Sequence, residues 1–144
     1  MELPKKSKLF KNIIRSKDKR GGIISIVDHQ VSNVSIITCN SNSLRSNHYH
    51  LKDFHFMYVL EGKIDYFFKD IDNKKDNTSY IEVNVGETIF TPNLEIHCTY
   101  FPIKTTLIVS SCYPRDQVTY EKDTVRVDYI DYDNLDYYLN HYAK

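Results

Sequence analysis

The stretch Arg45–Gly62, RSNHYHLKDFHFMYVLEG, places His48, His50 and His55 close together and then runs into an apolar segment that ends on a glycine. It holds half of the chain's 6 histidines. A histidine is costly to bury without a partner, so the cluster asks for a metal, a proton-transfer role or a polar network. On a strand, residues two apart face the same side, and His48 and His50 would then point into one cavity. His55 follows at an odd spacing. A regular strand turns it outward, and a hairpin or bulge at Leu51–Asp53 would return it.

Working outward, the chain reads as a series of short segments rich in β-branched and aromatic residues. They are 23–27, 34–38, 56–60, 64–68, 80–85, 88–91 and 106–111. Several alternate apolar with polar, as Ile81, Val83 and Val85 do with Glu82 and Asn84, which is the period of a half-buried strand. Turn-like stretches such as DIDNKKDN (70–77) separate them, and Gly21 and Gly22 punctuate the start of the series. Evenly spaced short strands without long helical patterns predict an all-β sandwich or barrel. The expected layout is one domain over 1–144, with an arm at 1–17, a barrel core at about 23–128 and a tail at 129–144. The arm, with its basic KKSKLFK, reads as solvated. The tail, DYDNLDYYLNHYA, predicts a short C-terminal helix from its three- and four-residue spacing. Residues 110–129 carry alternating charges and only Val118, Val125 and Val127 as apolar positions, so a solvated surface strand is expected there. From it Arg115, Asp116, Tyr120 and Glu121 are within reach of a cavity mouth.

Lys+Arg and Asp+Glu are both 19, a balance that argues against a nucleic-acid partner or a membrane surface. Cys39, Cys98 and Cys112 are odd in number and lack a close pair, and no long apolar leader opens the chain. Those features predict a reduced, cytoplasmic setting with cysteines acting as small buried hydrophobes. The 12 tyrosines suit strands and a polar-lined cavity.

A fourth histidine, His97, follows GETIFTPNLEI (86–96), where Gly86 and Pro92 mark a strand and a turn. If the barrel closes, His97 meets His48 and His50 from an opposing strand. Imidazoles in that arrangement suit zinc, copper, iron or nickel. They equally suit a metal-free polar pocket bonded to the surrounding tyrosines and acids.

HYHLKDFHFMYVLEG resembles the first cupin motif, G-x5-H-x-H-x3,4-E-x6-G, and GETIFTPNLEIH resembles the second, G-x5-P-x-G-x2-H-x3-N. His48, His50, Gly62, Gly86, Pro92 and His97 fall in register, whereas His55 replaces the glutamate, Leu94 a glycine and Phe101 the asparagine. The resemblance implies a single-domain cupin β-barrel, or jelly roll, with its site in the barrel mouth. Arg45-Ser-Asn-His48-Tyr49-His50 is further similar to R-G-x-H-Y-Q of sugar-nucleotide 3,5-epimerases and R-G-x-H-A-H of dTDP-sugar 3,4-ketoisomerases. Ser46 stands in place of the glycine. Asp18-Lys19-Arg20-Gly21 resembles the D-x-R-G turn that both groups carry.

That resemblance implies an isomerase acting on a nucleotide-linked keto-deoxy sugar in polysaccharide biosynthesis. His48 would be the base that removes a carbon-bound proton, with Arg45 or His50 stabilising the enolate oxygen. Arg20 would hold the diphosphate, with Arg45, Tyr49 and Tyr58 as further substrate contacts. No cofactor is required on that reading, and the family precedent implies a homodimer. The rival is a metal-dependent cupin, an oxygenase, lyase or isomerase, holding divalent iron, manganese, nickel or zinc with His48, His50, His55 and His97. A non-catalytic cupin that binds a small ligand is the third reading.

Overall fold

The computed structural model describes residues 2–72 and 77–143. Two five-stranded antiparallel sheets enclose the core. One runs in the order β1 (Lys8–Lys11), β9 (Glu87–Thr91), β6 (His55–Glu61), β11 (Thr105–Ser111) and β4 (Asn33–Cys39). The other runs β12 (Thr124–Arg126), β5 (Ser43–His50), β10 (Glu95–Phe101), β7 (Lys63–Asp70) and β8 (Ser79–Asn84). A separate hairpin joins β2 (Ile13–Asp18) to β3 (Gly21–Ser25). The expected all-β jelly roll is the observed architecture.

Alternation decides what each sheet buries. Met57 and Val59 on β6, Leu107 and Val109 on β11, and Ile64 and Tyr66 on β7 meet between the sheets with Phe101, Ile89 and Val83. Each such side chain contributes roughly 1.5–3 kcal/mol by leaving water. β7 is buried on both faces, because Phe67 points the other way into a second cluster with Ile96, Cys98, Tyr129, Ile130, Leu135 and Tyr138. That cluster lies under the predicted C-terminal helix, α2 (Leu135–Tyr142). Gly62 turns the chain between β6 and β7 at φ 97°, where an added Cβ would stand 2.3 Å from Thr105 Oγ1. The glycine is therefore obligatory for both conformation and space.

Three segments differ from the sequence expectation. The arm is not merely solvated, since β1 pairs with β9, with Leu9 packed on the core and Phe10 against the rings of Phe56 and Phe90. Flanking lysines hide that two-faced burial in the sequence. The 23–27 segment begins two residues earlier and pairs with β2 outside both sheets, which leaves Ile23 and Ile24 exposed. Between 110 and 129 the chain forms a helix, α1 (Gln117–Asp123), before β12. Asp116 caps it by accepting a hydrogen bond from Thr119 N, and Asp123 is its buried residue, so its inward face is polar and gives no apolar period. In the turn DIDNKKDN, residues 73–76 lie outside the described residues.

Candidate active site

A bulge in β5 sets the site. His97 pairs with His48 and Cys98 with Ser46, so Asn47 is the extra residue. Ser46 and Asn47 take φ of 75° and 57°, a left-handed conformation that asparagine tolerates better than most residues. The inserted residue changes the parity of the strand. Arg45 and His48, which would face opposite sides of a regular strand, therefore line the same pocket. The tail pins the bulge in place: Asn47 donates to Ile130 O at 2.8 Å, Ile130 N donates back to Asn47 Oδ1 at 3.1 Å, and Val127 N donates to Asn47 O.

His48 stands 4.7 Å from His50 and 4.8 Å from His97, ring centre to ring centre. His55 joins them, 5.5 Å from His50 and 5.6 Å from His97. Its inward direction comes from the turn before it. The Asp123 carboxylate accepts from Lys52 N and Asp53 N, both at 2.9 Å, and Leu51 N donates to Asp123 O. This folds Leu51–Asp53 back so that β6 begins with its first side chain in the cavity. Asp123 Oδ2 also lies 3.6 Å from His50 Nδ1, and Thr124 Oγ1 lies 3.4 Å from the same nitrogen.

α1, which leads into β12 beside β5, extends the histidine side of the mouth. The Tyr120 ring is 5.7 Å from His50 and 6.4 Å from His48, and the Arg115 guanidinium sits 5.1 Å over that ring. Arg126 ties the helix to β12 through both Glu121 oxygens at 2.8 and 2.9 Å. Arg45 is held at the rim by donating to Thr38 O at 3.1 Å. The enclosed volume is about 100 Å³. That is below the volume of pockets that engulf whole drug-sized ligands.

Burial keeps the imidazoles neutral. Desolvation, helped by His97 and His50, pushes His48 down to about 2. Desolvation and Arg115 push His50 to about 4, desolvation and His50 push His97 to about 3, and His55 is lowered for the same reasons. Below the cluster, burial raises the Asp53 carboxyl to about 6. It also raises Glu95 to about 7, where Ser7 donates to it from its backbone N–H and its hydroxyl.

His48, His50 and His97 hold ring nitrogens within 4.8 Å of one another. His97 Nδ1 lies 3.2 Å from Glu95 O, while its Nε2 is buried without a hydrogen-bond partner among the described residues. An orphaned, buried imidazole nitrogen beside two others fits a borderline transition metal. His55, at the carboxylate position of the motif, would add a fourth neutral donor.

Of the residues expected in the site, His48, His50, His55, His97 and Arg45 meet in it. Tyr49 instead packs on the outer cluster under α2, and Tyr58 alternates with the inward Met57 and Val59 on β6. Arg20 lies in the β2–β3 turn, exposed and ion-paired with Asp18 at 2.7 Å. Asp123 and Asn47 were not legible as site residues. Tyr120 and Arg115 were within reach of the mouth, but only their helix places them there.

No family model matches the chain, and no curated protein matches it. Solved structures do. The QdtA sugar 3,4-ketoisomerase of Thermoanaerobacterium thermosaccharolyticum in complex with TDP is 19% identical, with 98% of this chain and 97% of that chain covered and a TM-score of 0.67. A TDP-fucose 3,4-ketoisomerase of Campylobacter jejuni is 15% identical, with 84% and 89% covered and a TM-score of 0.68. A dTDP-4-dehydrorhamnose 3,5-epimerase of Sulfolobus tokodaii is 15% identical, with 92% and 84% covered and a TM-score of 0.70. Sheet order, the site in the barrel mouth and these likenesses together establish that the chain has the cupin jelly-roll fold of the nucleotide-sugar ketoisomerases and epimerases.

Proposed function

We propose that this protein is an isomerase acting on a nucleotide-linked keto-deoxy sugar, in polysaccharide biosynthesis, through proton abstraction next to a carbonyl. The observation that carries the reading is the pocket lined by both neutral His48 and the cation of Arg45, in a fold whose solved members include a TDP complex. A neutral imidazole accepts a proton, and a protonated one does not. His48 is a weak base at rest because it is desolvated among other imidazoles. A bound diphosphate and the negative charge that grows on the enolate oxygen favour its protonated form, and so raise its basicity as the reaction proceeds. Arg45, with His50 held by Asp123, stabilises that oxygen. No metal is needed for these steps.

The test is solvent deuterium appearing at the carbon beside the carbonyl, followed by NMR. Exchange in the wild-type protein should fall by a factor of about 10²–10⁴ in His48→Asn. Unchanged exchange in the variant removes His48 as base.

The orphaned His97 Nε2 favours a second reading, in which His48, His50 and His97, with His55, hold a divalent iron, manganese, nickel or zinc ion. Such an ion would act as a Lewis acid on a substrate oxygen. Near-stoichiometric metal in protein purified without chelator, lost in the His48→Ala, His97→Ala double variant, would establish it. Full turnover of a dTDP-keto sugar in EDTA would sink it.

A further inference from the structure

Zero net charge conceals a division along the chain. Residues 1–20 hold eight of the 19 Lys and Arg residues but only two of the 19 Asp and Glu residues, so the rest of the chain is acidic by the same margin. Overall neutrality therefore does not exclude a strongly charged surface. The fold places the two signs on different elements. Lys5, Lys6, Lys8 and Lys11 are exposed along the arm and β1, and β1 is the outermost strand of its sheet. Asp128, Asp131, Asp133 and Asp136 are exposed in the tail, which packs through Tyr129, Ile130, Leu135 and Tyr138 on Phe67, Ile96 and Cys98 of the other sheet.

None of the four arm lysines makes an ion pair among the described residues. Arg15 and Arg20, by contrast, are paired with Asp28 and Asp18. The acids around the arm do not cancel it. Glu2 is a single exposed charge. Glu87 stands opposite Lys11 but accepts from Asn84 N at 2.8 Å, and Glu95 is buried, where Ser7 N donates to it. Pairing with β9 fixes the lysine positions, and so does Phe10, which packs on Phe56 and Phe90 with the Lys8 ammonium 5.8 Å from its ring centre.

We propose that this basic edge, residues 5–11, docks the protein on an anionic lipid bilayer. A lysine ammonium is a compact point charge, suited to a diffuse array of headgroup phosphates. Bidentate reading of a base edge favours arginine, and residues 5–11 hold none. Binding to single-stranded nucleic acid uses free aromatic faces for stacking, and Phe10, the one ring of the segment, is occupied by Phe56 and Phe90. Each lysine near an anionic surface strengthens attachment by a factor of about five, and the four act together. Attachment by charge alone is reversible and is screened by salt. The inference stands apart from the substrate reading, because it is measured without a substrate.

The experiment sediments the full chain with vesicles of mixed phosphatidylglycerol and phosphatidylcholine, and in parallel with phosphatidylcholine vesicles, at about 50 mM and about 0.5 M NaCl. The protein should pellet with the anionic vesicles at low salt, stay in solution with the neutral ones, and be released at high salt. Lys5→Gln combined with Lys6→Gln should weaken partition by about 25-fold. Lys17→Gln combined with Lys19→Gln removes the same charge from the β2–β3 hairpin and should weaken it by less than about threefold. Lys5 and Lys6 are exposed and precede β1, so their substitution should leave the urea midpoint unchanged. The vesicle and salt comparisons need no variant and decide the matter if that midpoint moves. Wild-type protein that stays out of the anionic pellet, or partitions equally onto neutral vesicles, overturns the proposal. Equal losses in the two double variants overturn its assignment to the arm. Tighter binding to an oligonucleotide than to the anionic vesicles at the same salt overturns lipid as the partner in favour of nucleic acid.

Discussion

Leu94 holds a left-handed conformation, φ 57°, at the position where the second motif has a glycine. The turn after Pro92 needs that geometry, because Leu94 N donates to His50 O at 2.8 Å and so links β10 to the site. A side chain in this region costs roughly 1–2 kcal/mol, whereas a glycine gives back about 0.5–1 kcal/mol through the freedom of the unfolded chain. Leu94 is 46% exposed, so little packing is lost with it. Leu94→Gly should therefore stabilise the protein by up to about 1 kcal/mol, read from urea unfolding, and a loss of stability would show that its packing outweighs the strain. Asp123 is the opposite case, a residue whose acceptors are all in use. Its carboxylate serves Lys52 N and Asp53 N and faces His50. Asp123→Ala leaves one buried and one part-buried backbone donor unpaired and should cost about 1–3 kcal/mol. It should also lower turnover, because His55 and His50 lose the turn and the carboxylate that orient them. Unchanged unfolding midpoints would contradict that assignment.

Among the elements, β5 shows where a sequence reading stops. The pairing of His48 with His50 follows from strand period alone, and the two motifs bring His97 to them. Strands β4, β6, β7, β8, β9 and β11 are legible within two residues, because each alternates or is buried on both faces. The bulge is not legible, since it is produced by Asn47 meeting Ile130, 83 residues further along the chain. Without it Arg45 would face away from His48, so the motif reading reached the right residue through a geometry it could not see. α1 was missed for a related reason: its inward residues, Tyr120 and Asp123, are polar, and hydrophobic periodicity cannot find a helix that packs with polar groups. Asn47→Ala removes both side-chain bonds to Ile130 and leaves an alanine in a left-handed conformation. It should cost roughly 2–4 kcal/mol in stability. Under saturating substrate, kcat should also fall, because His48 is no longer held by the bulge. Full activity at unchanged stability would mean that the bulge holds without the tail.

At the scale of the molecule, four buried neutral imidazoles make stability depend on pH. Their folded pKa values lie below that of the unfolded chain, so their contribution is present above pH 6.5 and is lost as pH falls below it. Glu95 and Asp53 act in the other direction, their folded values being raised by burial to about 7 and 6. Near pH 5 the four imidazoles take up protons on unfolding while the two carboxyls release theirs, so unfolding gains about two protons net, or about 3 kcal/mol per pH unit. The urea midpoint should therefore fall steeply from pH 6.5 to 5, and a flat profile would mean that the histidines are not buried neutral. The β2–β3 hairpin sets a second molecular property. It joins neither sheet, and it exposes Ile13, Ile14, Ile23 and Ile24 at 52–67%. A lone two-stranded hairpin is marginal in water. β4, the outer strand of its sheet, leaves Val34 and Ile36 exposed at 63% and 73%. An uncovered apolar hairpin and an open apolar sheet edge on one chain are complementary in a two-fold pair, so we propose that the protein is a homodimer joined through them. Arg20 lies on the same hairpin, outside the histidine pocket of its own copy, and would be carried toward the partner in such a pair. Ile14→Lys combined with Ile24→Lys should convert the dimer to a monomer in analytical ultracentrifugation and weaken TDP binding, while His48-dependent deuterium exchange at saturating sugar persists. A dimer that survives the double substitution would place the interface elsewhere, and a monomer that binds TDP with unchanged affinity would return Arg20 to the role of a turn residue.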